Sequence, residues 1–360
     1  MKVAIPRAYL GTMTFGWSQT STYVGEAEAE KMIKRVMEFD NEIYPSSQHH
    51  FIDTARIYAG GKTEQILGQV LKKMESESSS LKIGTKAAPS VKPGGLSPDG
   101  IRDQFQASMD AMGLSGCYEY YLHQPDTEHS LLESLKSADS LLKDGKISVI
   151  GMSNYHASEM ARAFELCREH DLTPPSVYQG LYNPLNRLVE EELLPILKQN
   201  GCSFVAYNPL AAGLLTGKHK DIENVSKGRF KENQNYLPRF YTPANFEALR
   251  IIQSECEKHG ITMVEATFRW LLCHSSLDSS SDGFLLGASS LKQLDENLDA
   301  CRAAANSSTP LPPTVLEAFD KGWALTKDGA FKYWRSYSSD MPDRDNLDQG
   351  ASYNAAKTKK

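Results

Sequence analysis

Short apolar runs alternate along this chain with longer stretches whose apolar residues recur at helical spacing. The segment AYLGTMTFG (8–16) reads as a strand followed by a glycine turn, and HFIDTA (50–55), LKIGTK (81–86) and CYEYYLHQ (117–124) read as strands. So do ISVIGMSN (147–154), SVYQG (176–180), CSFVAYNP (202–209) and GFLLGAS (283–289). Between them EAEAEKMIKRVMEF (26–39) and TEQILGQVLKKM (63–74) carry the 3.6-residue period. Residues 97–113 form a helix with Ser97 as N-cap and Gly113 as its stop. Ser130 and Glu133 spell a capping box ahead of a face made by Leu131, Leu135, Ala138 and Leu142. Met160, Phe164 and Cys167 mark the next helix, and residues 188–200 are helical at least in part. Further helices are expected over 244–259, 263–274, a stretch marked by Leu291, Leu294, Leu298 and Cys301, and 313–326.

The strands end near residues 12, 53, 86, 123, 153, 179, 207 and 288. Eight βα units with parallel crossovers predict an α/β protein of the (β/α)8 TIM-barrel class. The wide last interval leaves room for a long loop after strand 7, over 210–243, and an extra helix. A doubly wound sheet is the competing architecture, but no G-x-G-x-x-G follows any strand. Residues 1–335 are therefore expected to form one barrel domain. From Ser336 the apolar periodicity stops, and 336–360 is expected to be a mobile C-terminal tail.

Composition narrows the class. Of the 360 residues, 40% are hydrophobic and 23% charged, which excludes collagen, coiled coil and wholesale disorder. Lys and Arg number 39 against 45 Asp and Glu, a net charge of −6, so no nucleic-acid partner is expected. The start MKVAIPRAYLG has no apolar core of signal-peptide length. SFVAYNPLAAGLLTG (203–217) is too short for a bilayer and is broken by Asn208 and Pro209, so no membrane partner is expected. The six cysteines make no CxxC pair, so no metal is expected and a cytoplasmic location is the default.

Active-site groups of such barrels sit where the strands end. Here those positions are Asp53, Lys86, His123, Ser153 with Asn154, Gln179 and Tyr207, with Tyr58 in the loop after Asp53. An Asp and a Lys at the ends of apolar strands are partly desolvated and need partners, and each is the simplest partner for the other. A free phenol, with a pKa of about 10, is a feeble acid at neutral pH. An ammonium nearby favours the phenolate and makes the phenol a usable proton donor to a carbonyl oxygen. A histidine beside it supplies a second hydrogen bond that orients the carbonyl.

The segments FIDTARIY, IGTKAAP, YYLHQPD, GMSNYHASEM, VYQGLYNPLNR, VAYNPLAAGLLTGK and GASSLKQLDEN, in this order, resemble the aldo-keto reductase superfamily. LGTM, NPLAAGLLTGK, GRF and SSLKQLDEN are most similar to its aflatoxin-aldehyde and succinic-semialdehyde reductase branch. The resemblance covers about residues 8–335 and implies an NADPH-dependent reductase acting on a small-molecule carbonyl substrate. It implies Tyr58 as general acid, Lys86 as its perturber, Asp53 as the partner of Lys86, and His123 as the group that positions the carbonyl. Ser153, Asn154 and Gln179 would hold the nicotinamide amide, and Tyr207 would stack on its ring. Asn208, Pro209, Leu210, Gly213, Leu214, Gly217 and Lys218, with Arg229, would embrace the pyrophosphate. Ser289, Ser290, Gln293 and Asn297 would hold the adenosine end. A helix N-terminus offers free N–H groups to the 2′-phosphate there. Met13, Tyr236, Arg239 and Arg335 are the implied substrate contacts, with Arg335 suited to a carboxylate. The branch also implies a homodimer. The stretch 220–240 follows the family pattern only loosely.

Plainer readings stand beside these. Asp53 is compatible with a helix cap, Tyr58 with a packing aromatic, and His123 with a core histidine. Gly60-Gly61-Lys62-Thr63 resembles the end of a P-loop, but Arg56 stands where the first glycine belongs. His49-His50 has no third ligand nearby, and Ser289-Ser290 suits an N-cap as well as a phosphate. Two other functions compete with the reductase. One is a redox-sensing regulatory subunit resembling the potassium-channel β subunits of the same superfamily. The other is a barrel hydrolase or aldolase with Lys86 as a Schiff-base nucleophile.

Overall fold

The computed structural model describes residues 3–18, 20, 22–225, 230, 231, 233, 236–306 and 310–351. The chain runs β1 (Arg7–Gly11), α1 (Glu26–Ile43), β2 (His50–Asp53), α2 (Lys62–Lys73), β3 (Leu81–Ala87), α3 (Pro98–Met112), β4 (Cys117–Leu122) and α4 (Leu131–Lys143). It continues with β5 (Ile147–Ser153), α5 (Ala157–Glu169), β6 (Val177–Leu181), α6 (Leu193–Gln199) and β7 (Ser203–Tyr207). Then follow α7 (Leu237–Phe240), α8 (Pro243–Lys258), α9 (Met263–Cys273), β8 (Gly283–Gly287), α10 (Leu291–Asn306) and α11 (Pro313–Thr326). The strands are all parallel, and β8 pairs with β1 to close an eight-stranded barrel. This is the (β/α)8 architecture expected from the strand spacing.

Both faces of these strands are buried, which is why they read as apolar runs. Leu10, Ile52, Ile83, Ile150, Phe204 and Leu286 point outward into the layer beneath the helices. Tyr9, Tyr121, Val177, Val205 and Leu285 fill the barrel itself. The large Tyr121 ring is admitted by Gly151, where an added Cβ would lie 2.3 Å from the ring. The period of two then decides the site. Asp53, Lys86, Ser153, Gln179 and Tyr207 share parity with the inward residues Phe51, Tyr121, Val149, Val177 and Val205.

Helix boundaries follow capping chemistry. Ser97 accepts a hydrogen bond from Gly100 N, and Gly113 leaves α3 at φ 68°. Ser130 accepts from Glu133 N, the forward half of the expected capping box.

Two expectations hold in detail. The first strand stops at Gly11, close to the expected end near residue 12, and the turn after it closes when Phe15 N bonds the Thr12 carbonyl. Residues 188–200 are helical in part, as expected, with a single turn at Leu188–Glu190 and α6 from Leu193. Pro195 falls in the first turn of α6, since its ring and missing N–H bar it from a helix interior.

One expectation is corrected, that of the tail. Residues 336–351 pack against the barrel, with Tyr337 and Ser338 each 2% exposed. Ser338 N donates to Glu159 on α5, Ser339 N to the Asp126 carbonyl, and Asp340 pairs with Arg162 at 2.7 Å. Ala351 N closes back on the Trp334 carbonyl. The segment lacks periodicity because backbone groups and isolated side chains anchor it, not one face of a helix or strand. Residues 352–360 lie outside the described residues.

Candidate active site

At the carboxyl ends of the strands, β2 delivers Asp53 and β3 delivers Lys86 to the same point. The Lys86 side chain is fully buried. Its Nζ donates to Asp53 Oδ1 at 2.5 Å and to the Thr54 carbonyl at 2.7 Å. Gln179 Nε2 donates to the same Asp53 oxygen at 2.8 Å. Burial pushes the Lys86 ammonium below its ordinary pKa, and Asp53, foremost among the nearby acids, pulls it back up. Asp53 is therefore the main partner opposing the loss of charge on this buried amine.

Tyr58 opens a tight turn through Gly61. Three residues in a row take the left-handed region, Ala59 at φ 47°, Gly60 at 65° and Gly61 at 90°. That turn brings the Tyr58 ring centre to 5.2 Å from Lys86 Nζ. The His123 ring meets Tyr58 edge-on, 6.1 Å between centres at 81°. Burial, reinforced by the positive charges of Lys86 and Arg335, pushes His123 well below the usual histidine range. The imidazole is thus neutral at physiological pH. Its Nδ1 is buried and finds no partner among the described residues. The sequence-derived tetrad converges in space.

Asn154 knits the rim together from a left-handed backbone, φ 64°. Its Nδ2 donates to the His123 carbonyl at 2.8 Å and to Ser153 Oγ at 2.9 Å. Its Oδ1 accepts from the Tyr207 hydroxyl at 2.8 Å, and its carbonyl accepts from Arg335 N at 3.0 Å. Asn154 thus links Ser153 and Tyr207 at the rim, and Gln179 reaches the Asp53–Lys86 pair directly.

After β7 the chain forms an irregular turn over 211–216. Asn208, Ala211, Ala212, Gly213 and Gly217 all have positive φ. Pro209 and Leu214 are buried, Leu210 half-buried, and Lys218 reaches Glu296 at 3.9 Å. Arg229 lies outside the described residues. Between β8 and α10, Ser289 and Gln293 bond each other, Ser290 Oγ accepts from Gln293 N, and Asn297 donates to the Gly287 carbonyl. The N-cap reading of these serines therefore stands beside the phosphate reading.

Of the implied substrate contacts, Met13 is half-buried in the loop after β1. The guanidinium carbons of Arg239 and Arg335 approach one ring, Phe331, at 3.9 and 5.1 Å. Tyr236 stacks on Phe240, 6.0 Å between centres. A hollow of about 430 Å3 at the opposite mouth of the barrel, lined by Arg7, Tyr44, Glu119 and Asp282 among others, gathers none of these residues.

The profile of the Aldo/keto reductase family matches residues 8–309. The chain belongs to the aldo/keto reductase family. It is an oxidoreductase of that family, and its barrel is the family's fold. Aflatoxin B1 aldehyde reductase member 2 of Mus musculus is 38% identical over 298 residues, 80% of each chain. The Homo sapiens protein Aldo-keto reductase family 7 member A3 is 37% identical over 298 residues, 80% of this chain and 88% of its own. Aflatoxin B1 aldehyde reductase member 4 of Homo sapiens is 38% identical over 288 residues, 77% of this chain and 85% of its own. The branch suggested by LGTM and SSLKQLDEN is thus the branch of these relatives.

Two residues that sequence reasoning missed join the site. Phe331 is the shared platform of the two arginines. Glu28, on α1, places a carboxylate oxygen 3.1 Å from Leu291 N at the start of α10. Neither position has a local sequence signal, since each is defined by partners far along the chain.

Proposed function

We propose that this protein reduces aldehydes to primary alcohols with NADPH, with Tyr58 as the general acid. One observation carries the reading: a buried ammonium, held charged by Asp53, faces the Tyr58 ring at 5.2 Å. That positive charge favours the phenolate, so Tyr58 gives up its proton to a carbonyl oxygen that is gaining negative charge. The neutral His123 has hydrogen-bonding capacity left over at the same place, which suits it to orient that oxygen. The names of the aldehyde reductases among the relatives support an aldehyde as substrate.

The donor set suits a nicotinamide dinucleotide. Amide and hydroxyl groups of Ser153, Asn154 and Gln179 match a carboxamide, and Tyr207 offers a flat face. The left-handed turn after Asn208 and the start of α10 suit phosphates, which at α10 would take over the Ser289, Leu291 and Gln293 N–H groups now held by the Gln293, Glu28 and Ser290 side chains. When bound, the dihydronicotinamide supplies the hydride to the carbonyl carbon. The Asp53–Lys86 pair is already assembled beside Tyr58, so the electrostatics around the acid are preorganised. Burial of Lys86 and its commitment to Asp53 and Thr54 disfavour the Schiff-base alternative, which needs an accessible free amine.

The test is Tyr58→Phe, assayed by NADPH oxidation with 4-nitrobenzaldehyde beside a fluorescence titration of NADPH. Turnover is expected to vanish while NADPH binding persists. Wild-type turnover in this variant would sink the assignment of the acid.

A further inference from the structure

The turn that carries Tyr58 is fastened from behind. Arg56 Nη1 donates to Glu64 Oε2 at 2.8 Å, and the other oxygen of Glu64 accepts from the Thr85 hydroxyl at 2.7 Å. Glu64 and Thr85 are both fully buried, and Arg56 is partly exposed. Glu64 stands in the first turn of α2, just after the left-handed turn. Thr85 precedes Lys86 on β3 and, by the period of two, points outward to α2 while Lys86 points inward. The three side chains therefore tie the segment bearing the phenol to the strand bearing the ammonium.

Two backbone features give this tie its importance. Ala59 takes a conformation that costs a residue with a Cβ, so the surroundings must hold it there. The Arg56 guanidinium does so by packing against Gly61, where an added Cβ would lie 2.7 Å from Nη1. Arg56 N also bonds the Lys86 carbonyl at 3.3 Å, a second link between turn and strand.

We propose that Arg56, Glu64 and Thr85 are positioning residues that fix the separation between the Tyr58 phenol and the Lys86 ammonium. None lies on the inner face where substrate would sit, so they act through Tyr58. The catalytic consequence rests on the reading of Tyr58 as the acid; the positional claim does not. Lys86 from β3 and His123 behind β4 face Tyr58, with Asp53 of β2 behind the lysine and Arg335 beyond the imidazole. Loosening the tie lets phenol and ammonium drift apart, which raises the pH at which the phenol ionises.

The experiment reads Tyr58 ionisation directly, as the tyrosinate absorbance of each protein minus that of its Tyr58→Phe counterpart. Thr85→Val removes the hydroxyl at constant shape, and Thr85→Ser keeps it. Relative to wild type, Thr85→Val is expected to ionise Tyr58 about half a pH unit higher or more. Its alkaline limb of kcat should move the same way, its kcat should fall about tenfold, and NADPH affinity should hold. Thr85→Ser should restore all of these. Arg56→Lys, a change at the exposed end of the tie, should shift both titrations in the same direction and serves if Thr85→Val does not fold. Curves superposable on wild type in Thr85→Val or its substitute, or an equal shift in Thr85→Ser, overturn the proposal. Full turnover in Tyr58→Phe would instead remove the acid reading and leave the positional claim to the absorbance titration.

Discussion

Asp53→Asn tests most directly how this site keeps its charge. The substitution preserves shape and removes the negative charge 2.5 Å from Lys86 Nζ. Both side chains are buried, at 0% and 3% exposure, so solvent screens the pair little. At an effective dielectric of about 20, Coulomb attraction at that separation is roughly 6–7 kcal/mol. The Thr54 carbonyl still accepts from Nζ after the change, so the cost should fall nearer the ~3–5 kcal/mol typical of a broken buried pair.

Its pH dependence identifies the cause. Burial already depresses the folded-state pKa of Lys86 below its ordinary value, and without Asp53 it falls further. The folded variant then sheds the Lys86 proton at a lower pH than the unfolded chain. Between those two pKa values the unfolded state holds more protons, so stability rises with pH. Urea denaturation should show Asp53→Asn losing about 3–5 kcal/mol near pH 6 and distinctly less near pH 9. Its kcat should fall away at a lower alkaline pH than wild type, because a neutral lysine no longer favours the phenolate. Equal destabilisation at both pH values, with an unchanged rate profile, would refute the idea that Asp53 keeps Lys86 charged.

Three further outcomes follow from the packing. Burial lifts the Glu119 carboxyl, inside the barrel under hydrogen bonds from Tyr9 and Tyr121, to about 7. The folded state then holds a proton that the unfolded chain loses near pH ~4.3, so stability should decline by about 4 kcal/mol as pH rises through that window. Glu119→Gln should flatten that part of the decline in urea denaturation, and identical slopes in both proteins would contradict it. Gly68→Ala would set a Cβ 2.4 Å from the Ala111 carbonyl oxygen where α2 meets α3. A net loss of roughly 1–3 kcal/mol is expected despite the better helix propensity, and a raised thermal midpoint would show that the helices can separate freely. Asp340→Ala removes the acceptor for Arg162 and for Leu131 N at the start of α4. It should cost about 1–2 kcal/mol and speed proteolysis within 336–351; an unchanged cleavage pattern would mean that other anchors suffice.

Much of the barrel was legible in one dimension because its signals are local. Parallel strands buried on both faces read as apolar runs, and helices carry their own period and caps, as Ser97 and Gly113 do for α3. The inward parity of Asp53, Lys86, Ser153, Gln179 and Tyr207 follows from a period of two once the strands are placed. The exact end of β1 and the break before α6 depended on a turn hydrogen bond and one proline, which periodicity does not weigh. The tail was misread for a deeper reason. Its anchors Glu159, Asp126 and Arg162 lie far back in the chain, and no local pattern announces a segment held by such distant partners.

Taken alone, then, the order of residues determined an eight-fold βα alternation, the identity of the polar groups at its strand ends, and the family to which those groups point. Those properties depend on neighbours within a few positions, where sequence and geometry are nearly the same thing. Only the folded molecule decided that Lys86 is dry and paired with Asp53, that a left-handed turn swings Tyr58 over it, and that Arg56, Glu64 and Thr85 hydrogen-bond behind that turn. Each of these is set by burial and by contacts between distant segments, and burial is what strengthens the electrostatic influence of one side chain on the next.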